Sequence, residues 1–188
     1  MQTSATATTP GSADIAGSAE ISKARQQAAR ELLVVGLRNA HALEEQALSV
    51  HRQQVAELDD FPAFKTRLAA HIAETEGQVA RLDAALERLG EGPSSLKDVG
   101  MKIAGWAQAA GQMIADDKVI KAAIAIYGVK GFELASYRAL ERLAGMVGDA
   151  TIGADMRASH AEEQAMVDWL ESEIGDLTAA YLEQAERA

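Results

Sequence analysis

The sequence predicts an all-α protein, with four antiparallel helices in two tight hairpins joined by one long crossover that carries an extra helix. Three observations lead there. Leu, Ala, Glu, Gln and Arg are abundant, aromatic residues make up 4% of the 188, and there are three prolines, a balance that favours helix over sheet. Long segments repeat their apolar residues with the helical period of about 3.6. Two short turns and one longer, glycine-interrupted stretch divide those segments into two pairs.

Taken in order, residues 1–20 ("MQTSATATTPGSADIAGSAE") are rich in Ser, Thr, Ala and Gly and carry almost no large apolar groups, so a disordered tail is expected ahead of a bundle domain over 21–188. The first helix is predicted over Ser22–Leu58. "DDFP" (Asp59–Pro62) forms the turn, with Asp60 as N-cap and Pro62 tolerated in the first turn of the next helix. That second helix continues to Leu89 and stops at "GEGP". From Ser94 to Met113 a capping start and several small residues suggest a short crossing helix. The third helix starts near Ala115 or Asp116 and runs to Val147, "GDAT" (Gly148–Thr151) turns the chain, and the fourth reaches Ile174. A last amphipathic piece, Leu177–Ala188, is expected as a separate segment that docks or frays. Two hairpins with one long crossover is the connectivity of ferritin-like bundles.

Charge and composition narrow the function. Eighteen basic residues against 28 acidic ones give a net charge of −10, which disfavours nucleic acid and anionic membranes and favours a cation as partner. Without cysteine, disulfides, thiolate catalysis and Cys-ligated metal sites are excluded. No apolar run approaches the roughly 20 residues of a membrane span, and the N-terminal stretch lacks a hydrophobic signal region. A cytoplasmic protein is the expectation.

The polar residues of the first helix pose the functional question. Leu37, His41, Glu44, Leu48, His51 and Val55 share one stripe, and Glu45 is rotated to its polar edge. An unpaired buried carboxylate costs several kcal/mol, roughly, so Glu44 must be paired, neutralised or metal-bound. A repeat supplies its partners. Glu44 and Glu74 are 30 residues apart, as are Glu133 and Glu163, and a shift of 89 maps Glu44, His71, Glu74 and Asp60 onto Glu133, His160, Glu163 and Asp149. Each glutamate lies roughly 14–16 residues from its hairpin turn, so the two in a hairpin differ in height by about 3 Å. Glu133 and Glu163 are central on apolar stripes; Glu74 lies toward the edge of one that centres nearer His71.

Four carboxylates cannot all be anions in a small dry cavity. Two divalent ions, iron or manganese, bridged by Glu44, Glu74, Glu133 and Glu163 and capped by His71 and His160, resolve the conflict. The order His-x-x-Glu, rather than Glu-x-x-His, leaves open whether the two histidines bind metal or orient the glutamates. The competing arrangement is a buried ionic network with Arg or Lys, for which Arg67, Arg81 and Arg138 are at hand. His41, whose repeat counterpart is Lys130, reads as a polar lid or orienting group, and His51 as interfacial or solvated. Tyr137 is either a core residue with its hydroxyl satisfied or a redox-active phenol. Trp106 and Trp169 read as packing or interface anchors.

"LRNAHALEEQAL", "HIAETEGQVARLDAALERLG", "GFELASYRAL" and "AEEQAM" resemble the motifs of the bacterial YciE/YciF-type ferritin-like stress proteins, over about Leu32–Leu182. The resemblance implies a ferritin-like fold, a dimetal site, dimerisation and stress-linked expression, without fixing a reaction. Two functions follow as expectations. One is a dimetal centre acting on peroxide or dioxygen; the other is a structural or storage metal site in a homodimeric stress protein.

Overall fold

The computed structural model describes residues 12–91 and 118–186. Four helices account for them: α1 (Ser12–Val55), α2 (Pro62–Arg88), α3 (Lys118–Val147) and α4 (Ala150–Ala185). The fold is an all-α four-helix bundle, and no strand occurs among the described residues. Side-chain bridges give the directions. Arg30 reaches the Leu89 carbonyl, while Arg52 pairs with Glu76, so α2 runs back along α1. Tyr127 bonds Glu171 and Arg157 bonds Glu141, which makes α3 and α4 antiparallel as well. Arg88–Asp149 and His71–Glu163 join α2 to α4, and Tyr137–Glu44 joins α3 to α1. The helices therefore lie in the cyclic order α1–α2–α4–α3, and residues 89–117 connect opposite ends of the bundle. The expected crossing helix (Ser94–Met113), with Trp106, lies outside the described residues.

Local chemistry sets the ends. Gly90 (φ 75°) and Gly148 (φ 82°) adopt the left-handed conformation that ends α2 and α3. Each donates its N–H to the carbonyl three residues back while the next N–H bonds the carbonyl five back, Glu91 to Leu86 and Asp149 to Ala144. Asp149 then turns to α4, its side chain accepting from the N–H groups of Thr151 (3.1 Å) and Ile152 (3.0 Å). Its expected counterpart differs: Phe61, not Asp60, caps α2, without a side-chain bond, and Pro62 is the first helical residue.

Two other boundaries depart from expectation. Helix α1 begins at Ser12, inside the stretch read as tail. Helix α4 passes through Gly175 and Asp176 without the predicted break. Leu177 is buried in the core there, and such packing outweighs the ~1 kcal/mol cost of a helical glycine.

The core is divided. One apolar cluster, with Leu33, Leu37, Leu82, Leu140, Ile152 and Met156, fills the end near the α3–α4 turn. The other, with Phe64, Leu68, Ile126, Met166 and Leu170, fills the end near the α1–α2 turn, where Phe64 stacks obliquely on Trp169 at 5.7 Å. Between them, every helix contributes buried polar groups: Glu44, His71, Thr75, Gln78, Lys130, Glu133, Ser159 and Glu163. The functional question concerns this layer.

Candidate metal centre

Glu44, Glu133 and Glu163 come from α1, α3 and α4 and are at most 1% exposed. One carboxylate oxygen from each lies within 4.8 Å of the other two, close to the spacing of ligands around a single cation. Each glutamate is there for the same reason: it occupies a central position on a stripe whose neighbours are leucines, isoleucines and methionines, so burying the stripe carries the carboxylate inward.

Lys130, one turn before Glu133 and fully buried, supplies the opposite charge. Its Nζ lies 2.6 Å from Glu133 Oε2 and 2.9 Å from Glu163 Oε2. Tyr137, one turn after Glu133, donates its hydroxyl to Glu44 Oε1 at 2.6 Å. Helix α2 contributes an imidazole: His71 is fully buried, with Nε2 at 3.7 Å from Glu163 Oε2. Its Nδ1 donates to Glu74 Oε2 at 2.7 Å, and Arg67 holds the same carboxylate at 3.2 Å. That bond places the ring proton on Nδ1 and leaves Nε2 as a lone-pair donor turned toward the carboxylates. Glu44 Oε2 and His71 Nε2 are buried without a hydrogen-bond partner among the described residues.

The electrostatics follow from burial. Desolvation pushes Glu44 up to about 7, against the lowering effect of Lys130. Desolvation likewise takes Glu163 to about 8, again opposed by Lys130 and reinforced by Glu133. Glu133 is raised too, by the same burial, with Lys130 beside it. Burial by itself would lower the Lys130 ammonium, but Glu133, Glu163 and Glu44 outweigh it and hold the group above the usual lysine range. His71 is pushed far below its ordinary range by burial, then by Lys130, His51 and Arg67, and stays neutral. Metal-free, the Lys130 ammonium sits among carboxyls that burial raises, two of them into the neutral range. A neutral imidazole is ready to bind a divalent cation, and the carboxyls become ligands by giving up their protons to it, so binding strengthens as pH rises.

The structure brings together three of the four expected glutamates. Glu74 lies at the rim, its side chain 32% exposed, because the α2 stripe centres on His71 and turns Glu74 toward Arg67. His160 also lies outside, with Nε2 3.4 Å from Arg138 Nη2, because α4 turns Glu163 inward and His160 is rotated toward α3's outer edge. Repeat symmetry thus holds for Glu44 and Glu133 but not for the two His/Glu pairs. His41 contacts Asp83 at 3.1 Å, away from the carboxylates. His51, expected to be interfacial or solvated, is instead part of the interior: it is 3% exposed, packs 5.7 Å from the His71 ring and is pushed down to about 3 by burial, then by Lys130.

A family model described as "Domain of unknown function (DUF892)" matches residues 28–183. The chain belongs to the DUF892 family. Among solved structures, the DUF892 chain is similar to the protein XCC3681 from Xanthomonas campestris pv. campestris, at 26% identity and a TM-score of 0.70, covering 84% of this chain and 99% of that one. It also shares its fold with YcfI from Rhodopseudomonas palustris, at 24% identity and a TM-score of 0.61, covering 76% and 92%.

In this DUF892 chain the residue that sequence reading missed is Lys130. The signal was available: it is the sole basic residue between Lys121 and Arg138, three positions before a central glutamate, on the same stripe as Ile126. A stripe carrying Lys and Glu at i and i+3 brings its own counter-charge inside.

Proposed function

We propose that this chain is a metal-carboxylate protein in which Glu44, Glu133, Glu163 and His71 hold a divalent cation, iron or manganese. The observation that supports it most is the meeting of three buried carboxylates beside a neutral imidazole whose Nε2 has no hydrogen-bond partner among the described residues. When bound, the ion supplies the positive charge that the three anions otherwise replace with protons. Glu74 keeps the His71 ring in the tautomer that presents Nε2, and Tyr137 orients Glu44.

Both the two-ion peroxide or dioxygen reaction and the structural or storage role remain readings of this site. Its burial favours the second: every group at its centre is at most 1% exposed, so a small oxidant would have to part the helices. The likeness to YciE/YciF-type proteins supports a stress-linked, cytoplasmic setting. Among the described residues no helix is long and apolar enough to cross a membrane. Leu32, Val35 and Phe132, all more than half exposed, are large apolar side chains that a second copy could cover, which supports a homodimer.

Reconstitution with Mn²⁺ or anaerobic Fe²⁺, desalting and elemental analysis test the reading. Bound metal that is lost in Glu163→Ala supports it. No metal in the folded wild-type chain rejects it in favour of a purely ionic network around Lys130. Peroxide decay measured on the loaded protein separates the two functions.

A further inference from the structure

We infer that the Lys130 ammonium occupies the place of a second metal ion, making this a one-ion centre in which a side chain acts as the other cation. The inference rests on the proposed metal reading and sets its stoichiometry.

Position carries the argument first. In a two-ion carboxylate centre the ligands project inward from facing helices, and a carboxylate that bridges gives one oxygen to each ion. Here Lys130 Nζ contacts Oε2 of Glu133 and Oε2 of Glu163, on two different helices, at ion-pair distance. It lies between the two carboxylates best placed to bridge. An ion engaging those same oxygens would sit against the ammonium with no solvent between them, because Lys130, Glu133 and Glu163 are all buried.

The count of donors agrees. Three carboxylates bring six oxygens. Lys130 engages two of them and the Tyr137 hydroxyl engages Glu44 Oε1. One oxygen from each glutamate remains, namely Glu44 Oε2, Glu133 Oε1 and Glu163 Oε1, all buried. With His71 Nε2, which lies 3.7 Å from Glu163 at the edge of the group, these make no more than four donors, enough for one ion and too few for two.

Charge agrees as well. Three carboxylates and one ammonium leave two negative charges, which a single divalent ion cancels. A second ion would leave an excess of two positive charges in a centre without water access, a cost that burial makes steep. Lys130 also has no easy way out, since it is fully buried and its ammonium is held by Glu133 and Glu163. The chain is therefore built to hold one ion beside a fixed cation, which suits retention of an ion better than a redox cycle shared by two.

The test counts metal in the full chain and in Lys130→Met, a neutral side chain of similar length, with Lys130→Gln as second variant. Each is folded or refolded with Mn²⁺, desalted and analysed by inductively coupled plasma mass spectrometry, and circular dichroism melts are recorded with and without the ion. The expected result is one Mn²⁺ per wild-type chain, rising toward two in the variants, whose melting temperature depends more strongly on Mn²⁺ than that of the wild type. Two ions per wild-type chain overturn the inference, as does a count of one that stays at one in a folded variant. No ion in the wild type with gain of ions in a variant overturns the one-ion inference and the native metal reading together, and makes Lys130 a cation that excludes metal altogether. No ion in any of them rejects both. If neither variant folds even with Mn²⁺, the wild-type count decides: one supports the inference and any other number overturns it.

Discussion

Removing the Glu74 carboxylate separates the role given to it by sequence spacing from the role given to it by the structure. In Glu74→Ala the His71 Nδ1 proton loses an acceptor at 2.7 Å, and Arg67 loses its partner at 3.2 Å. The Arg67 pair is partly exposed, so its loss contributes less than about 1 kcal/mol to stability. The effect on the imidazole is larger where metal is concerned. Freed to change tautomer and to turn, His71 should bind metal about 10–100-fold more weakly, the range found when the carboxylate orienting a metal-bound histidine is removed. That is about 1.4–2.8 kcal/mol of binding free energy. Competition titration with Mn²⁺, run on the wild type and on Glu74→Ala, reads it directly. Glu74→Gln, whose amide oxygen still accepts from Nδ1, should recover most of the affinity. Complete loss of metal in both variants would show that Glu74 is itself a ligand, and unchanged affinity in Glu74→Ala would show that His71 is not engaged. Either outcome refutes the reasoning.

Three further outcomes are expected. Tyr137→Phe leaves Glu44 Oε1 buried without its donor, which should cost about 1–3 kcal/mol of stability. Its melting temperature should drop by roughly 2–4 °C for each of those kcal/mol, with metal still bound; an unchanged melt contradicts the bond. Metal-free protein should lose stability as pH rises. Glu44 and Glu163 titrate near 7 and 8 folded against 4.5 in their unperturbed state, so the folded chain holds more protons, and the stability present below pH 4.5 disappears through that window. His51 and His71, both lowered from 6.5, remove stability on the acid side instead. The urea midpoint should therefore peak near ~pH 5–6, and saturating Mn²⁺ should flatten the alkaline decline because binding displaces those protons. A midpoint that climbs from pH 6 to 8.5 without metal contradicts this account. Finally, Asp149→Ala should cost about 1 kcal/mol through the lost cap of α4, whereas Asp60→Ala should stay within about 0.5 kcal/mol; equal chemical-denaturation midpoints for the two would be the wrong result.

Much of the architecture is a local property and is legible in the chain. Helix ends at Gly90 and Gly148 follow from a residue that accepts positive φ, and the Asp149 cap from a side chain short enough to reach its own backbone. Apolar stripes of period 3.6 state which face of each helix goes inward, and Glu44, Glu133 and Glu163 are legible because they sit at the centres of such stripes. The equality of the two hairpins also gives their common height, since rise per residue is fixed.

What the chain alone leaves open is rotation and partnership. Glu74 and Glu163 are equivalent by spacing, yet a modest turn of α2 about its axis presents His71 to the centre and leaves Glu74 at the rim. That turn is set by what Phe64, Leu68 and Leu82 pack against on other helices. The break expected at Gly175 is overridden in the same way, because Leu177 finds a place in the core. Lys130 shows the limit most plainly. Read along its own helix, it is a lysine on an apolar stripe, costly to bury. Glu133 on the same helix supplies the first counter-charge, and only with α1 and α4 in place do Glu163 and Glu44 add the field that, with it, keeps the ammonium charged inside. A sequence states which charges a helix carries inward; whether those charges meet as repelling anions, as ligands or as a neutral pair depends on distances between helices, which tertiary packing alone sets.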